Sequence, residues 1–567
     1  MLILDSLNIK KNFGDREILS FDQLKIRSGD KIGVVGQNGA GKTTLLNILA
    51  GELLPDEGIV KRFCEAAYIK QFSDEEIVAD AKVLSEFAVQ DKIKSVKVSG
   101  GEQTRLKIAS ALSKNSLLLF ADEPTANLDF KGILLLKNKL SKAESLVLIS
   151  HDRDLLDSIC NKIIEVSNGR ITFYEGNFSF YQQQKQKMVN REWFEYENYV
   201  DEKKHLEEAI VNRKARAKAI KKTPTRMGNS EARLHKRNSN EMQEKIHDAA
   251  KSINTRLEKL EIKNKPKELS SIKLDFSLTN PPHNKIVISS DDLSFCYDRR
   301  EIFANAKFQV YKGRKQAIIG ENGVGKTTLL NQIYSNFEQN NLGELKGQNV
   351  DGLDINSVLS EKRINVVPKA VLGYFCQGFE NLDLQKNVLE NVMQESVQSE
   401  TTARTILARL ILSGENVYKK VGVLSGGERI KVSFAKLFVS SANVLLLDEP
   451  TNYLDIASIE ALQNILCEYE GTVLFVSHDK AFVNAVAQRL LVVKNKKILE
   501  FDGNLKAFEA RHNISKIQES SQTQKIILQM RMTEVLSKLS QTNSDNEELE
   551  AEYQELISQM KFLQLSQ

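Results

Sequence analysis

Gly36-Gln37-Asn38-Gly39-Ala40-Gly41-Lys42-Thr43-Thr44 is the stretch that decides the fold. It follows Lys31-Ile32-Gly33-Val34-Val35, an apolar run of strand length, so the glycine-rich turn links a buried strand to a helix start. Gly36, Gly39 and Gly41 let successive backbone N–H groups face phosphate oxygens, and the helix N-terminus behind them adds positive potential. Lys42 is spaced to reach the β/γ-phosphates, and the Thr43 hydroxyl to ligate Mg²⁺. The bland reading, a chance glycine-rich turn, does not account for a complete motif directly behind a strand. The order returns as Gly320-Glu321-Asn322-Gly323-Val324-Gly325-Lys326-Thr327-Thr328, behind Gln316-Ala317-Ile318-Ile319. Two copies of one α/β unit are expected.

Further motifs follow each loop. Leu117-Leu118-Leu119-Phe120-Ala121 reads as a buried strand and ends in Asp122-Glu123-Pro124-Thr125; Leu445-Leu446-Leu447 ends in Asp448-Glu449-Pro450. The aspartates would hold Mg²⁺ indirectly at the strand end, and the glutamates would polarise an attacking water. An apolar strand ending in acids is weak evidence by itself. His151 and His478 stand at the tips of the next strands; a lone histidine is more often structural, and here its place beside a phosphate site favours chemistry. Val98-Ser99-Gly100-Gly101-Glu102-Gln103 and Leu424-Ser425-Gly426-Gly427-Glu428-Arg429 complete the two sets.

In this order the motifs resemble the ATP-binding cassette ATPases. The resemblance implies ATP and Mg²⁺ as cofactors, and a Ser-Gly-Gly loop that faces the γ-phosphate held by the opposite cassette. It makes Gln71 and Gln377 Q-loop ligands on the metal side, Tyr297 and Phe13 adenine-side aromatics, and Asp129 and Asp455 the D-loop acids. Phe13 reads equally well as an ordinary core residue. Each cassette carries both a P-loop and a signature, so the two can close head-to-tail within one monomer. One site would pair Lys42, Asp122, Glu123 and His151 with Ser425 and Gly427. The other would pair Lys326, Asp448, Glu449 and His478 with Ser99 and Gly101. Neither glutamate is replaced, and two hydrolysis-competent sites are expected.

The 567 residues suggest at least two domains, and their composition, 41% hydrophobic and 27% charged, is that of a water-soluble globular chain. A net charge of +4 gives no global signal for nucleic acid, so any such signal is local. The five cysteines form no CxxC pair and fit a reducing compartment. No secretory leader pattern and no run of membrane-spanning length is evident, so a cytoplasmic location is expected.

Between the cassettes, the segment from Phe180 to Lys285 is charged and helix-forming. Trp193, Tyr196, Val200, Leu206, Ile210 and Ala217, then Met242, Ile246, Ala249, Ile253, Leu257 and Leu260, fall on one face of each of two helices that can pair antiparallel. Pro224 and Gly228 mark a turn. Bases cluster around it: Arg213, Lys214, Arg216, Lys218, Lys221, Lys222, Arg226, Arg233, Lys236 and Arg237, opposed by Glu231. Most charged linkers are solvated spacers, but a spacer has no use for bases at its tip, whereas phosphate neutralisation does. Thr225, Met227 and Asn229 are small or adaptable enough to enter a tight pocket. The expected plan is α/β: a first cassette over 1–180, a helical hairpin over 181–285 with its basic tip near 222–235, a second cassette over 286–512, and a C-terminal helical extension over 513–567. The first cassette is shorter between Gln71 and Ser99 than the second is between Gln377 and Ser425, so its helical subdomain is trimmed. The C-terminal helices serve packing or a partner contact.

Two cassettes with a helical hairpin between them resemble the ABC-F family of ribosome-acting ATPases. The resemblance implies binding in the exit site of a bacterial ribosome, with the tip reaching towards P-site tRNA and the large-subunit rRNA of the peptidyl-transferase centre. The trimmed first cassette, extended linker and C-terminal helices look like the Vga/Lsa resistance type, which implies displacement of lincosamides, pleuromutilins and streptogramins A. A housekeeping translation factor, and more remotely the ATPase of an exporter, are the alternatives.

Overall fold

The structure is a computed structural model that describes residues 1–70, 79–87, 89, 100–114, 116–219, 229–265, 275–297, 300–342, 364–375, 381–512, 531–532, 535 and 554–556, without the side chains of 217–219, 229–241, 243, 297, 300 and 340–342. The first half contains β1 (Leu2–Phe13), β2 (Arg16–Arg27), β3 (Lys31–Val35), α1 (Lys42–Ala50), β4 (Glu57–Arg62), β5 (Ala66–Ile69), α2 (Ala81–Glu86), α3 (Gly100–Ser113), β6 (Leu118–Asp122), α4 (Phe130–Leu140), β7 (Ser145–Ile149), α5 (Arg153–Ile159), β8 (Lys162–Ser167) and β9 (Arg170–Glu175). Two long helices follow, α6 (Phe178–Ala219) and α7 (Asn229–Glu258). The second half contains β10 (Ile286–Tyr297), β11 (Arg300–Tyr311), β12 (Lys315–Ile319), α8 (Lys326–Leu342), β13 (Asn365–Val366), β14 (Leu372–Phe375), α9 (Val388–Met393), α10 (Glu400–Arg409), α11 (Gly426–Val439), β15 (Val444–Asp448), α12 (Ile456–Glu468), β16 (Thr472–Val476), α13 (Lys480–Val486), β17 (Arg489–Lys494) and β18 (Lys497–Asp502).

The duplication holds strand for strand. Each half has a six-stranded sheet, ordered β5-β6-β7-β3-β8-β9 and β14-β15-β16-β12-β17-β18, and a three-stranded antiparallel sheet, β2-β1-β4 and β11-β10-β13. The last strand of each large sheet runs antiparallel and the others run parallel. The parallel strands are buried on both faces, as their continuous apolar runs require. In β6, Leu118 and Phe120 enter the core shared with the antiparallel sheet, while Leu119 and Ala121 enter the core under the helices. Because β3, β6 and β7 are parallel, the P-loop, Asp122-Glu123 and His151 leave the same edge of the sheet, where ligands of such sheets bind.

The linker helices match the expected antiparallel hairpin. The 42 residues of α6 span about 63 Å at 1.5 Å per residue. Arg256 Nη2 lies 3.3 Å from Glu202 Oε1, while Ile210 and Ala250, further along, are both buried. Two helices alone cover only a narrow seam, so Met242, expected on the apolar stripe, is 60% exposed. The expected turn, including Lys221, Lys222, Thr225, Arg226 and Met227, lies outside the described residues. Asn229, Arg233, Lys236 and Arg237 lie on α7, with side chains outside the description. Almost all of the expected C-terminal helices also falls outside it.

Candidate nucleotide sites between the cassettes

Each P-loop is held by close backbone approach. A Cβ added at Gly36 would stand 2.3 Å from the Val166 carbonyl oxygen, and one at Gly320 would stand 2.8 Å from that of Val493, so neither position has room for a side chain. Lys42 Nζ donates to the Gly36 and Gln37 carbonyls at 2.8 and 3.1 Å. Lys326 Nζ repeats this with Gly320 and Glu321 at 3.0 and 2.8 Å. Both ammonium groups are buried, which lowers their pKa. Gly39, Gly41, Lys42, Thr43 and Thr44 line a cavity of about 1050 Å³. Gly323, Gly325 and Thr328 repeat this local arrangement at the start of α8, where Gly323 and Gly325 have φ of 73° and 103°.

The catalytic candidates stand at the strand ends. Glu123 and Glu449 share an unusual left-handed φ of 47°, and each N–H donates 3.0 Å across to the neighbouring strand, to Ile149 O and Val476 O. The backbone N–H of His151 and of His478 donates to its glutamate at 3.3 Å. The ring Nε2 atoms stand 3.2 and 3.4 Å from the other carboxylate oxygen. Burial pushes both glutamates up to about 7, partly offset by the neighbouring P-loop lysine, whereas burial and that same lysine together push both histidines down to about 4. A neutral imidazole beside a carboxyl that titrates near neutrality suits proton transfer at ordinary pH. Glu123 Oε1 and both histidine Nδ1 atoms are buried without a hydrogen-bond partner, so packing rather than hydrogen bonding holds that side of each pair.

The metal-side candidates are Thr43 with Asp122 and Thr327 with Asp448. Thr327 Oγ1 donates to Asp448 Oδ1 at 3.2 Å. Burial pushes Asp122 up to about 6, against a hydrogen bond from Thr43, and burial raises Asp448 likewise. No cluster of three His, Cys, Asp or Glu suited to a metal occurs among the described residues. A hydroxyl and one carboxylate fit a hard cation that takes its remaining oxygens from water and phosphate. Gln71 and Gln377 lie outside the described residues. Phe13 ends β1, is 54% exposed and lines the cavity, so it is not a core residue. Tyr297 ends β10, with its side chain outside the description.

The halves meet head-to-tail. The cavity that holds Lys42, Asp122, Glu123 and His151 is also lined by Ser425, Gly426 and Gly427 of the other half. Ser425 caps α11 in a reciprocal box with Glu428. On the second site, a Cβ added at Gly101 would lie 3.2 Å from Asn322 Nδ2, as one at Gly427 would lie 3.0 Å from Asn38 Nδ2. Gly100 opens α3 beside Gly101, while Ser99 lies outside the described residues. Each D-loop acid crosses the interface. Asp455 Oδ2 accepts from Asn38 N at 2.9 Å, and Asp129 Oδ2 accepts from Asn322 N at 3.2 Å.

Sequence reasoning missed the other half of this clasp. Asn38 Nδ2 donates to Tyr453 O at 2.8 Å, and Asn322 Nδ2 donates to Asn127 O at 2.9 Å. The P-loop asparagine side chains therefore grip the opposite D-loop. Tyr453-Leu454-Asp455 and Asn127-Leu128-Asp129 occupy equal positions in the repeat, the one signal that could have found them. Arg105 Nη2 donates to Asp129 Oδ1 at 2.9 Å, and Lys431, at the equivalent place in the repeat, is close enough to Asp455 to lower its pKa.

A family model described as ABC transporter matches residues 19–126 and 303–452, and another of that description matches 164–276. The erythromycin resistance ATP-binding protein MsrA of Staphylococcus epidermidis is 32% identical over 85% of this chain and 95% of its own. The ribosome protection protein VmlR of Bacillus subtilis is 28% identical over 99% of this chain and 98% of its own. ABC transporter F family member 2 of Arabidopsis thaliana is 29% identical over 88% and 78%. Among solved structures, an archaeal ribosome recycling factor aABCE1, in complex with the stalk protein aP1, superposes with a TM-score of 0.55 at 18% identity over 90% of this chain and 92% of that one, a likeness of fold. No helix among the described residues is long and apolar enough to cross a membrane. The tandem cassettes bind and hydrolyse ATP, and the chain belongs to the ABC-F family of ATPases.

Proposed function

We propose that this ATPase protects bacterial ribosomes from antibiotics bound at the large-subunit catalytic centre. The observation that carries the reading is the head-to-tail contact of two cassettes, in which each P-loop asparagine is bound by the opposite D-loop acid, with a helical hairpin of about 63 Å between them. The names of MsrA and VmlR support the direction, since one is a resistance protein and the other a ribosome protection protein. The basic cluster from Arg213 to Arg237 suits phosphate backbone contact, which sets position, and the residues from Thr225 to Ser230 form the effector tip. The protein works in the cytoplasm as a monomer, and its finer subtype is the Vga/Lsa kind.

ATP sits with its phosphates on the Lys42 and Lys326 loops, and Ser425-Gly426-Gly427 and Ser99-Gly100-Gly101 complete the sites from the opposite half. Thr43 with Asp122, and Thr327 with Asp448, would hold Mg²⁺, which would supply positive charge to the phosphates. Glu123 and Glu449 orient and deprotonate the attacking water, while His151 and His478 hold those carboxylates. ATP closes the halves and moves the hairpin root; hydrolysis releases them.

Glu123→Gln with Glu449→Gln should trap the closed protein. The trapped protein should co-sediment with ribosomes, and its binding should fall when Arg226, Met227 and Asn229 are replaced while ATPase activity of the otherwise wild-type chain persists. Expression should raise inhibitory concentrations for at least one of lincomycin, tiamulin, virginiamycin M and erythromycin. Unchanged values for all four, with ribosome binding intact, would point instead to a translation factor.

A further inference from the structure

The two H-loop histidines have different neighbours across the interface. The Phe130 ring, one residue beyond the D-loop Asp129, meets the His478 ring of the opposite half edge-on, with centroids 5.5 Å apart and planes at 74°. Lys480 Nζ lies 5.6 Å from the centroid of the Phe130 ring. Phe130 is half-buried and packs against the core of the second half although it belongs to α4 of the first. At the equivalent place beyond Asp455 stands Ile456, which packs against the first half's core and cannot make an aromatic contact with His151.

We infer that Phe130 is a positioning residue that acts in trans on His478, and so makes hydrolysis at the Lys326–Glu449 site depend on closure of the halves. His478 Nε2 stands 3.4 Å from Glu449 Oε1, and its Nδ1 has no hydrogen-bond partner to fix the ring. Rotation of the imidazole is therefore limited by packing, and Phe130 supplies a wall of that packing from the other half. When the halves separate, the wall leaves with α4, and His478 no longer holds its glutamate in one orientation. The residue at the matching place is the aliphatic Ile456, which offers His151 no aromatic wall, so the two sites respond unequally to partial opening. Edge-to-face aromatic pairs contribute enough for roughly a two- to tenfold effect on rate.

The inference rests on the assignment of Glu123 and Glu449 to the two ATP sites, and the test separates the two. In full-length protein, Glu123→Gln leaves only the site of interest, and Glu449→Gln leaves only the other. Phe130→Ala in the Glu123→Gln background should lower kcat by about two- to tenfold with KM for ATP changed less than twofold. Phe130→Tyr should restore the rate, Phe130→Ile should not, and Phe130→Ala in the Glu449→Gln background should run at its parent's rate. Equal losses in both backgrounds, a change confined to KM, or full activity of Phe130→Ile would overturn the trans-positioning role. If neither single glutamine variant lowers ATPase activity, the site assignment itself has failed. Should Phe130→Ala not fold, the Ile and Tyr variants carry the comparison, with thermal unfolding as the check.

Discussion

Asp455 commits its two carboxylate oxygens to different tasks, and one substitution can separate them. Oδ1 accepts from Ser458 N at 2.8 Å and Ser458 Oγ at 2.6 Å, which caps α12. Oδ2 accepts from Asn38 N at 2.9 Å in the other half. In Asp455→Asn the amide oxygen keeps the cap, because Asn caps as well as Asp. Its NH₂ then faces the Asn38 N–H, donor against donor. The loss is one hydrogen bond to a charged group, about 1.5–3 kcal/mol, so the equilibrium constant for closure should fall roughly 10- to 150-fold and the ATP midpoint for closure should rise. Asp455→Ala removes the cap as well, a further ~1 kcal/mol that should appear in urea unfolding of the second half. Fluorescence transfer between labels on the two halves, titrated with ATP in the Glu123→Gln/Glu449→Gln background, reads closure. The reasoning is refuted if Asp455→Asn closes at the wild-type ATP concentration, or if it unfolds as early as Asp455→Ala. Burial alone would raise this carboxyl, but the hydrogen bonds from Ser458 and Asn38 hold it below its ordinary value. Its contribution is therefore complete above the unfolded carboxylate pKa and is lost as pH falls through the lower folded value.

Three further outcomes are expected. Gly101→Ala and Gly427→Ala place a methyl group 2.7 and 2.9 Å from the Asn127 and Tyr453 carbonyl oxygens, so each should lower ATPase activity at least tenfold, measured by phosphate release, with unfolding midpoints kept. In the nucleotide-free protein, burial raises Glu123 and Glu449 to about 7 and lowers His151 and His478 to about 4. The glutamates therefore make stability fall as pH rises from the usual carboxylate value towards 7, and the histidines make it rise between about 4 and 6.5. The double glutamine variant should keep only the rising limb in urea titrations across that range. Chelation of Mg²⁺ should abolish phosphate release, and Thr43→Ala or Thr327→Ala should raise the Mg²⁺ concentration needed for half activity by roughly tenfold, about the cost of one lost ligand.

The parts of the fold legible in the sequence were those where one residue type answers one local demand. Gly36 and Gly320 stand where a backbone carbonyl leaves no room for Cβ, and the apolar runs before Asp122 and Asp448 fill strands buried on both faces. The duplication then predicted which halves of each site must meet. Contacts made by backbone atoms across the interface were not legible, because a carbonyl carries no residue identity. Tyr453 and Asn127 differ in side chain and do the same work with their carbonyl oxygens, in left-handed conformations with φ of 64° and 60°. The apolar stripe of the linker overstated its seam for a related reason: spacing shows which residues share a face, but not how much of that face a lone partner helix covers.

The asymmetry between the halves continues to the linker root. Glu460 on α12 accepts from Gln182 of α6 at 3.0 Å, and the same Oε1 lies 3.5 Å from Arg153 Nη1. Arg153 begins α5 two residues beyond His151, so the loop at the first nucleotide site, the linker root and the second half converge on one carboxylate. In the repeat, Glu460 lies five residues beyond Asp455, and the residue five beyond Asp129 is Leu134, 60% exposed. Lys480, which matches Arg153, pairs instead with Glu509 of its own half at 2.7 Å. A polar tie between an H-loop, a helix root and the opposite half thus exists on the linker side and has no equivalent at Leu134. Separation of the halves must move Glu460 away from Arg153 or from Gln182. Either choice changes the footing of α6, and a helix of about 63 Å converts a small tilt at its root into a displacement of several ångströms at its far end.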